Sequence, residues 1–523
     1  MDSQSGSTSS DTVLEPTTET TLSDDEQRYA QSLDPYVNVA KDYQAPTSRI
    51  SSLLSLLCKQ LQATDPIGFR IRQSVEVALK VTILNGFLAQ HDFDSARRIH
   101  YARSAEFYIG MAVNKETLIR VISGLHQNGY IDNHTVKPGS HNDFRSSFSV
   151  SPRLAQLFSD YEIHPRMIST DSVVELRAPK RKVKRSKRGN VWRRGKLIST
   201  NGRKIRGLTS ARSKLRRINK AYSNFVGLFV SDDQLAECPI DEEQIAFETA
   251  IGGISRRKGY YVGGRPNFRR SKLKRVFNNV DSDAPRLNQG GRFCGAWWQE
   301  IPGSFRHSNI WIGAEPAVEL DFNSMEVALA YADKGFVLSE INSNVYSCSC
   351  GLERSKAKRC LLIALNCDNR PSAVGAISKY LKNTEPVDMH FDISQLLDEF
   401  EEVHNPHLGT LYGTERAMKR MLKESRITED ILLKAQNAGE VVLPVHDSYL
   451  IRESQESQLC AWMDESFEKF AKISCSGISL ETPPSTLPLP HEVEREDYSI
   501  FFDLASEYGL EDRLLRYASG EPF

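Results

Sequence analysis

Between Arg177 and Lys220 the chain carries nineteen Lys or Arg residues and not one Asp or Glu. A block of like charge at this density is either a solvated, flexible linker or a surface for a polyanion. The whole chain is neutral, with 67 Lys plus Arg against 67 Asp plus Glu, so its cations are concentrated rather than abundant. The run interleaves Trp192 and, just past Lys220, Tyr222, and it passes into ARSKLRRINKAY, which has helical spacing. A second cluster, RRKGYYVGGRPNFRRSKLKR, repeats the basic and aromatic mixture. This distribution predicts nucleic-acid binding through phosphates, salt-dependent and without sequence information, with Lys182, Arg185, Arg188 and Arg193 among the contacts.

The block also divides the chain. A length of 523 residues suggests two to four domains, and the expected division is 1–45, 46–165, 166–225, 226–480 and 481–523. Residues 1–26 hold seven acids, no Lys or Arg and many Ser and Thr, which predicts a disordered acidic tail. The start Met1-Asp2-Ser3 has neither a basic nor an apolar targeting segment, and no stretch reaches the ~18 apolar residues of a membrane span. A cytoplasmic protein without membrane contact is therefore expected. The nine cysteines read as reduced thiols, and the spacing of Cys348, Cys350, Cys360 and Cys367 does not match a common zinc site.

Residues 46–165 are mainly helical by pattern: SSLLSLLCKQLQ and SVEVALKVTILNGFLAQ both space apolar residues by three and four. Then NKETLIRVISGLHQNGYI predicts a helix capped by Asn114 and ended near Asn128-Gly129, before a polar, turn-rich hairpin. Helix plus hairpin in this order resembles a winged helix-turn-helix. In such a fold Lys115 and Arg120 would face a DNA groove, and Lys137 and Arg145 would touch phosphates from the wing. The other reading is a helical packing domain with ordinary surface charges.

The candidate chemistry lies further on. In AVELDFNSMEVALAYA, alternation predicts a strand ending at about Phe322, with Glu319 and Asp321 on one face. Asn323 or Ser324 would cap the following helix, which sets Asp321 at a strand end and Glu326 in the first helical turn. In VVLPVHDSYLI, Val441 to Ile451, a β-branched apolar run is interrupted by His446, Asp447 and Ser448, which predicts a hairpin with Asp447 at its apex. Two aspartates on adjacent strands can hold a pair of Mg2+ ions ~4 Å apart and serve phosphoryl transfer. Between them, LERSKAKRCLLIALN predicts a helix with Arg354 and Lys358 on one face, a basic pair suited to a triphosphate.

Taken in order, Asp321-Phe322-Asn323-Ser324-Met325-Glu326, then Arg354-xxx-Lys358, then His446-Asp447-Ser448 resemble motifs A, B and C of family A DNA polymerases and of single-subunit phage-type RNA polymerases. The resemblance spans about 290–470. It implies that Asp321 and Asp447 bind two catalytic Mg2+ ions, that Arg354 and Lys358 hold the triphosphate, that His446 supports the primer terminus and that Glu326 lies near the sugar of the incoming nucleotide. A Glu at that position marks deoxynucleotide preference in the family, whereas HDS is commoner on the RNA polymerase side. The chain departs from the family at Asn366, where a Tyr would stack on the nucleotide, and in a shorter stretch between the first and last motifs, which implies reduced fingers. Pro444 removes a ladder donor and predicts a sheet edge or bulge.

Upstream, GGRFCGAWWQEIP joins Arg292 to two tryptophans; Arg292 would line a template or nucleotide channel, while Trp297 and Trp298 read first as core. TERAMKRMLKESRITEDILLKAQNAGE reads as an amphipathic scaffold helix. The expectation is a multidomain α/β chain: a right-hand polymerase-like palm with reduced fingers at 226–480, preceded by a basic linker or thumb-like segment and a mainly helical, winged-helix-like DNA-binding domain, and followed by a Pro-rich linker and helical tail. The expected activity is templated nucleotidyl transfer with two Mg2+ ions, nucleoside triphosphates and DNA as template and primer, DNA synthesis being favoured over RNA synthesis. A non-catalytic DNA-binding initiator or regulator and a two-metal nuclease are the alternatives.

Overall fold

The computed structural model describes most of residues 43–507, apart from 104–113, 136–145, 232–260, 481–493 and several shorter stretches. The acidic end, the Pro-rich TPPSTLPLP stretch, Lys137, Arg145, Arg188 and Cys350 lie outside the described residues. The chain is mixed α/β, and its buried apolar side chains gather in two cores that share no residue, one between Ile50 and Ile168 and one between Val174 and Ala471.

In the first core, α1 (Ser48–Thr64) buries Ile50, Leu53, Leu57 and Leu61 at helical spacing. It packs with α2 (Gln73–Asp92) and, beyond β1 (Ile99–His100), with α3 (Lys115–Gln127). Asn114 caps α3, its side chain accepting from Thr117 N at 2.8 Å, and the helix stops at Asn128 with Gly129 at φ +71°. Strands β2 (Ile131–His134) and β3 (Ser147–Val150) complete an antiparallel sheet in the order β1-β3-β2. The buried Arg98 crosses this sheet to Asp132 at 2.7 Å and to Ser147 at 3.0 Å, so its charge is paired and its donors are used. Helix α4 (Pro152–Asp160) then closes the core with Leu154 and Phe158.

The basic segment is not a linker between two bodies. Strand β4 (Val174–Leu176) opens the second core, and after the paired strands β5 (Arg181–Ser186) and β6 (Gly189–Arg193) the helix α5 (Leu208–Ala221) buries Leu208, Ala211, Leu215 and Ile218 in it. The cations of α5 occupy its other face, where Lys214 meets Glu429 at 2.6 Å and Arg217 meets Asn437 at 2.8 Å. Tyr222 donates to Val442 O at 3.0 Å, and Asn219 exchanges two 2.9 Å hydrogen bonds with the backbone of Leu273. The helical spacing of ARSKLRRINKAY corresponds to α5, whose apolar residues at three- and four-residue spacing anchor it even though most of its other positions are charged.

Two sheets form the middle of the second core. After β7 (Val226–Leu228), β8 (Lys274–Phe277) joins β4 in parallel and β9 (Arg292–Cys294) antiparallel, giving the order β9-β8-β4. The short helix α6 (Gly303–Asn309) precedes β10 (Ile310–Ile312) and the eight-residue β11 (Glu315–Phe322). Helices α7 (Met325–Ala332), α8 (Arg354–Leu365), α9 (Arg370–Thr384), α10 (Ile393–Leu408) and the long α11 (Thr414–Ala438) follow. The hairpin β12 (Leu443–Val445) and β13 (Ser448–Arg452) then adds to β11, so the larger sheet runs β12-β13-β11-β10-β7. After α12 (Glu456–Ala471), β14 (Ile478–Leu480) pairs with β11 opposite Leu320 to Phe322. The final helix α13 (Ser499–Glu507) sets Phe501 against Phe229 at 4.9 Å and Trp311 at 6.1 Å.

Pro444 stands on β12, the edge strand, where a missing N–H costs nothing. Trp297 and Trp298 are both buried, and Trp298 Nε1 donates to Pro444 O at 3.3 Å, so these rings are core that braces the hairpin and do not line a channel. The seven described cysteines are free thiols. Among the described residues no helix is long and apolar enough to cross a membrane.

Candidate active site

Strand β11 is buried on both faces from Ala317 to Leu320, and near its end Glu319 and Asp321 share one face, of which Asp321 is the partly exposed member. Its register with β13 pairs Asp321 with Ser448. Since Val445 pairs with Ser448 across the hairpin, only His446 and Asp447 remain in the turn, and Asp447 stands at the same end of the sheet as Asp321. His446 makes this tight turn with φ +58°, and Ser324 leaves β11 with φ +59°. Left-handed backbone at non-glycine residues is uncommon, and here it occurs beside both carboxylates. Ser324 takes the N-cap position of α7 without a side-chain cap bond, contrary to the expected cap, because its left-handed backbone turns the chain in place of a hydroxyl.

Beneath these carboxylates Glu319 is buried and saturated. Arg306 grips it in bidentate fashion at 2.8 and 3.1 Å, His307 Nε2 lies 3.0 Å away, and Ser448 Oγ donates to it as well. Burial alone would raise its pKa, but the hydrogen bonds from His307, Arg306 and Ser448, with the Arg306 charge, hold the carboxyl at about 2. Ser448 also lies 3.0 Å from Val445 O across the turn. One anion thus ties α6 and β11 to the residue that follows Asp447.

Above, charges from five elements converge. Arg292, on β9, donates to both oxygens of the buried Glu424 on α11 at 2.8 and 2.7 Å. Burial opposes its charge, yet Glu424, Glu326 and Asp447 raise its pKa. The Asp447 carboxyl is pushed up to about 6 by burial and by the Glu424 charge, against Arg292 and Lys358. Burial raises Glu326 too, against Arg420 and Arg292. Asn366 Nδ2 donates to Glu326 at 2.9 Å, and Arg420 lies 3.8 Å from the same oxygen. At the outer end of α8 the exposed Arg354 stands over the ring of Tyr346, 5.3 Å from its centroid, while burial pushes the Tyr346 hydroxyl up to about 12.

Asp321, Glu326, Lys358, Asn366, Asp447 and Arg292 therefore belong to one cleft, with Arg354 at its margin and His446 exposed in the turn. Lys115 and Arg120 lie on α3 of the other core, where Lys115 is 3.6 Å from Glu116 and Arg120 donates to Gly68 O at 3.2 Å. Lys182, Arg185 and Arg193 lie on the β5–β6 pair. Sequence reading missed Glu319, Tyr346, Arg420 and Glu424. Arg420 and Glu424 were visible as ionisable residues four apart on the apolar stripe of α11, a position that a purely scaffolding helix leaves to apolar side chains.

Among the described residues no three His, Cys, Asp or Glu side chains already form a metal cage. Two carboxylates, completed by water and phosphate oxygens, are nevertheless the donor set that Mg2+ uses at phosphoryl-transfer sites. Burial first and the Glu424 charge second raise Asp447, and a divalent cation would offset both by favouring its ionised form. No protein-family model matches the chain, and no curated protein matches it.

Two measurements check this electrostatic account. Because the folded pKa of Asp447 lies above its ordinary 3.8, the native state holds the extra proton between about pH 4 and 6, and stability is lost as pH rises through about 6. Asp447→Asn should therefore stabilise the metal-free protein by roughly 1–3 kcal/mol at pH 8 and hardly at all at pH 4, read from thermal unfolding at the two pH values. Glu319→Ala leaves Arg306 buried without its anion and should cost about 3–5 kcal/mol in urea denaturation; a cost below ~1 kcal/mol would refute the network.

Proposed function

We propose that this chain is a template-directed nucleotidyltransferase of the right-hand polymerase kind, with the larger sheet and its flanking helices as palm and short fingers. The single observation that carries this reading is the pairing of Asp321 with Ser448, which sets the carboxylates of Asp321 and Asp447 at one sheet end in the same cleft as Lys358 and Arg292. A hydrolase needs the two carboxylates alone; the added cations on α8 suit a triphosphate.

In the proposed reaction the 3′-hydroxyl of a primer attacks the α-phosphate of a nucleoside triphosphate. A new P–O bond forms, the bond from the α-phosphorus to its bridging oxygen breaks, pyrophosphate leaves and the hydroxyl proton passes to solvent. Arg354 and Lys358 hold the β- and γ-phosphates, Arg354 through its planar fork and Lys358 as a point charge. Mg2+, held by Asp321 and Asp447 when bound, supplies charge neutralisation on the phosphates and activation of the hydroxyl. Glu424 anchors Arg292, and Arg292 in turn faces Asp447 across the cleft. His446, in the hairpin turn, is placed to meet the primer terminus.

The pair formed by Glu326 and Asn366 supports deoxynucleotide use. The Asn366 amide fixes the Glu326 carboxylate at the base of α7, filling the side of the cleft where a sugar hydroxyl would project. The basic block supplies phosphate contacts to template and primer, and the first core is a second DNA-binding unit.

Primer extension with Mg2+ and either deoxynucleotides or ribonucleotides tests the reading. Extension should fall more than about 100-fold in Asp321→Ala and in Asp447→Ala while DNA binding persists; absence of extension by the intact protein with both nucleotide types would overturn it, and loss of labelled DNA without addition would indicate a nuclease. Glu326→Ala should raise ribonucleotide incorporation relative to deoxynucleotide by about tenfold or more, since one contact of about 1–3 kcal/mol is removed. An unchanged ratio would remove Glu326 from sugar selection.

A further inference from the structure

We propose that the β5–β6 pair is an arm that grips double-stranded DNA through the major groove. This deepens the nucleic-acid reading of the basic block, and it is independent of the catalytic reading. The two strands form a sheet of their own, in the register Arg181 with Arg193, Lys182 with Trp192, Lys184 with Val191 and Arg185 with Asn190, with an irregularity between Lys182 and Lys184. Cross-strand partners share a face, so one face carries Arg181, Lys184, Val191 and Arg193, and the other Lys182, Arg185, Asn190 and Trp192.

By register one face carries three cations, Arg181, Lys184 and Arg193, and the other two, Lys182 and Arg185. An isolated two-stranded hairpin is marginal in water, and like charges placed opposite, as at Arg181 and Arg193, weaken it further. A polyanion reverses the sign of that term.

The base of the arm is built into the fold. Arg177 and Leu197 form a bridge, Ile198 N donates to Leu176 O at 2.8 Å, and Arg177 N donates to Phe277 O at 2.8 Å. At the neck a Cβ on Gly195 would fall 1.5 Å from the Ala178 carbonyl oxygen, so only glycine lets the two sides close. The arm therefore springs from the β9-β8-β4 sheet, whose β9 carries Arg292 of the cleft. Any duplex that the arm holds is tethered to the sheet that lines the site.

Dimensions select the partner. A six-residue strand is roughly 17–20 Å long and a strand pair about 5 Å across the backbones. The major groove of B-form DNA, about 12 Å wide and 8.5 Å deep, admits such a two-stranded ribbon with its side chains, whereas the ~6 Å minor groove takes one only when the duplex is deformed. The deep, narrow major groove of A-form RNA excludes it. In the DNA groove, cations on both faces meet the phosphates of both walls.

The test uses the full chain without Mg2+ or nucleotide, and follows fluorescence anisotropy on a DNA duplex, an RNA duplex and single-stranded DNA of equal length across a salt series. Replacing Lys182, Lys184, Arg185 and Arg193 together by Ala should remove about 3–4 units from the log–log salt slope on DNA duplex and weaken that binding ~100-fold or more at 0.1 M salt, with smaller losses on the other two ligands. Arg185→Ala alone should remove about one unit and guards against a folding defect in the quadruple variant. Trp192→Ala should change duplex binding less than about threefold, since the groove reading does not use stacking. Unchanged binding in the quadruple variant, or equal losses on all three ligands, would overturn the proposal. So would a Trp192→Ala loss above about tenfold confined to single strands, which marks a stacking platform.

Discussion

The hydrogen-bonded carboxylate of Glu319 is the constraint on which the site depends. A buried anion is tolerated only when its lone pairs are all used, and Glu319 meets that condition with Arg306, His307 and Ser448. Well-packed apolar residues in place of the whole network, Glu319 with Arg306 and His307, would be as stable or more so. What the ion network adds is geometry: Ser448 is fixed between Glu319 and the backbone of Val445, so the turn that presents Asp447 is held from below while its upper side stays open. Pro444, braced by Trp298 and Gln299 at its carbonyl, holds the other arm of the same hairpin.

Above that floor the charges are arranged to oppose one another at short range. The Glu424 charge disfavours the ionised form of Asp447, and Arg292 is bound to Glu424 while it compensates Asp447. Glu326 is balanced in the same way by Arg420 and Arg292. Such a cleft is not at its electrostatic minimum as it stands. Ligands that bring both signs would relieve that opposition, as a nucleotide with a divalent cation does in the function proposed above.

Much of the local structure was legible from the chain. Strand β11 ends at Phe322, the hairpin turn falls on His446 and Asp447, and Asn114 caps α3 with its side chain. These features follow from contacts within a few residues, where periodicity and turn chemistry act directly. The reading failed where a residue's role depends on a distant neighbour. Glu424 and Arg420 looked like ordinary charges on a scaffold helix, and the basic block could be read as a linker or as a thumb-like segment, because nothing nearby in sequence reveals that Arg292 lies 132 positions from its partner or that α5 packs into the second core.

The sequence by itself determined which residues stand at strand ends and turns, and which stretch concentrates cations, since both are properties of neighbouring residues. Tertiary structure decided which of those charges share a cleft. Register sets Asp321 beside Ser448, and the packing of α7, α8 and α11 sets Glu326, Lys358 and Glu424 around it. The physical reason is that Coulomb and hydrogen-bond energies depend on distance through space, and only the folded chain fixes that distance.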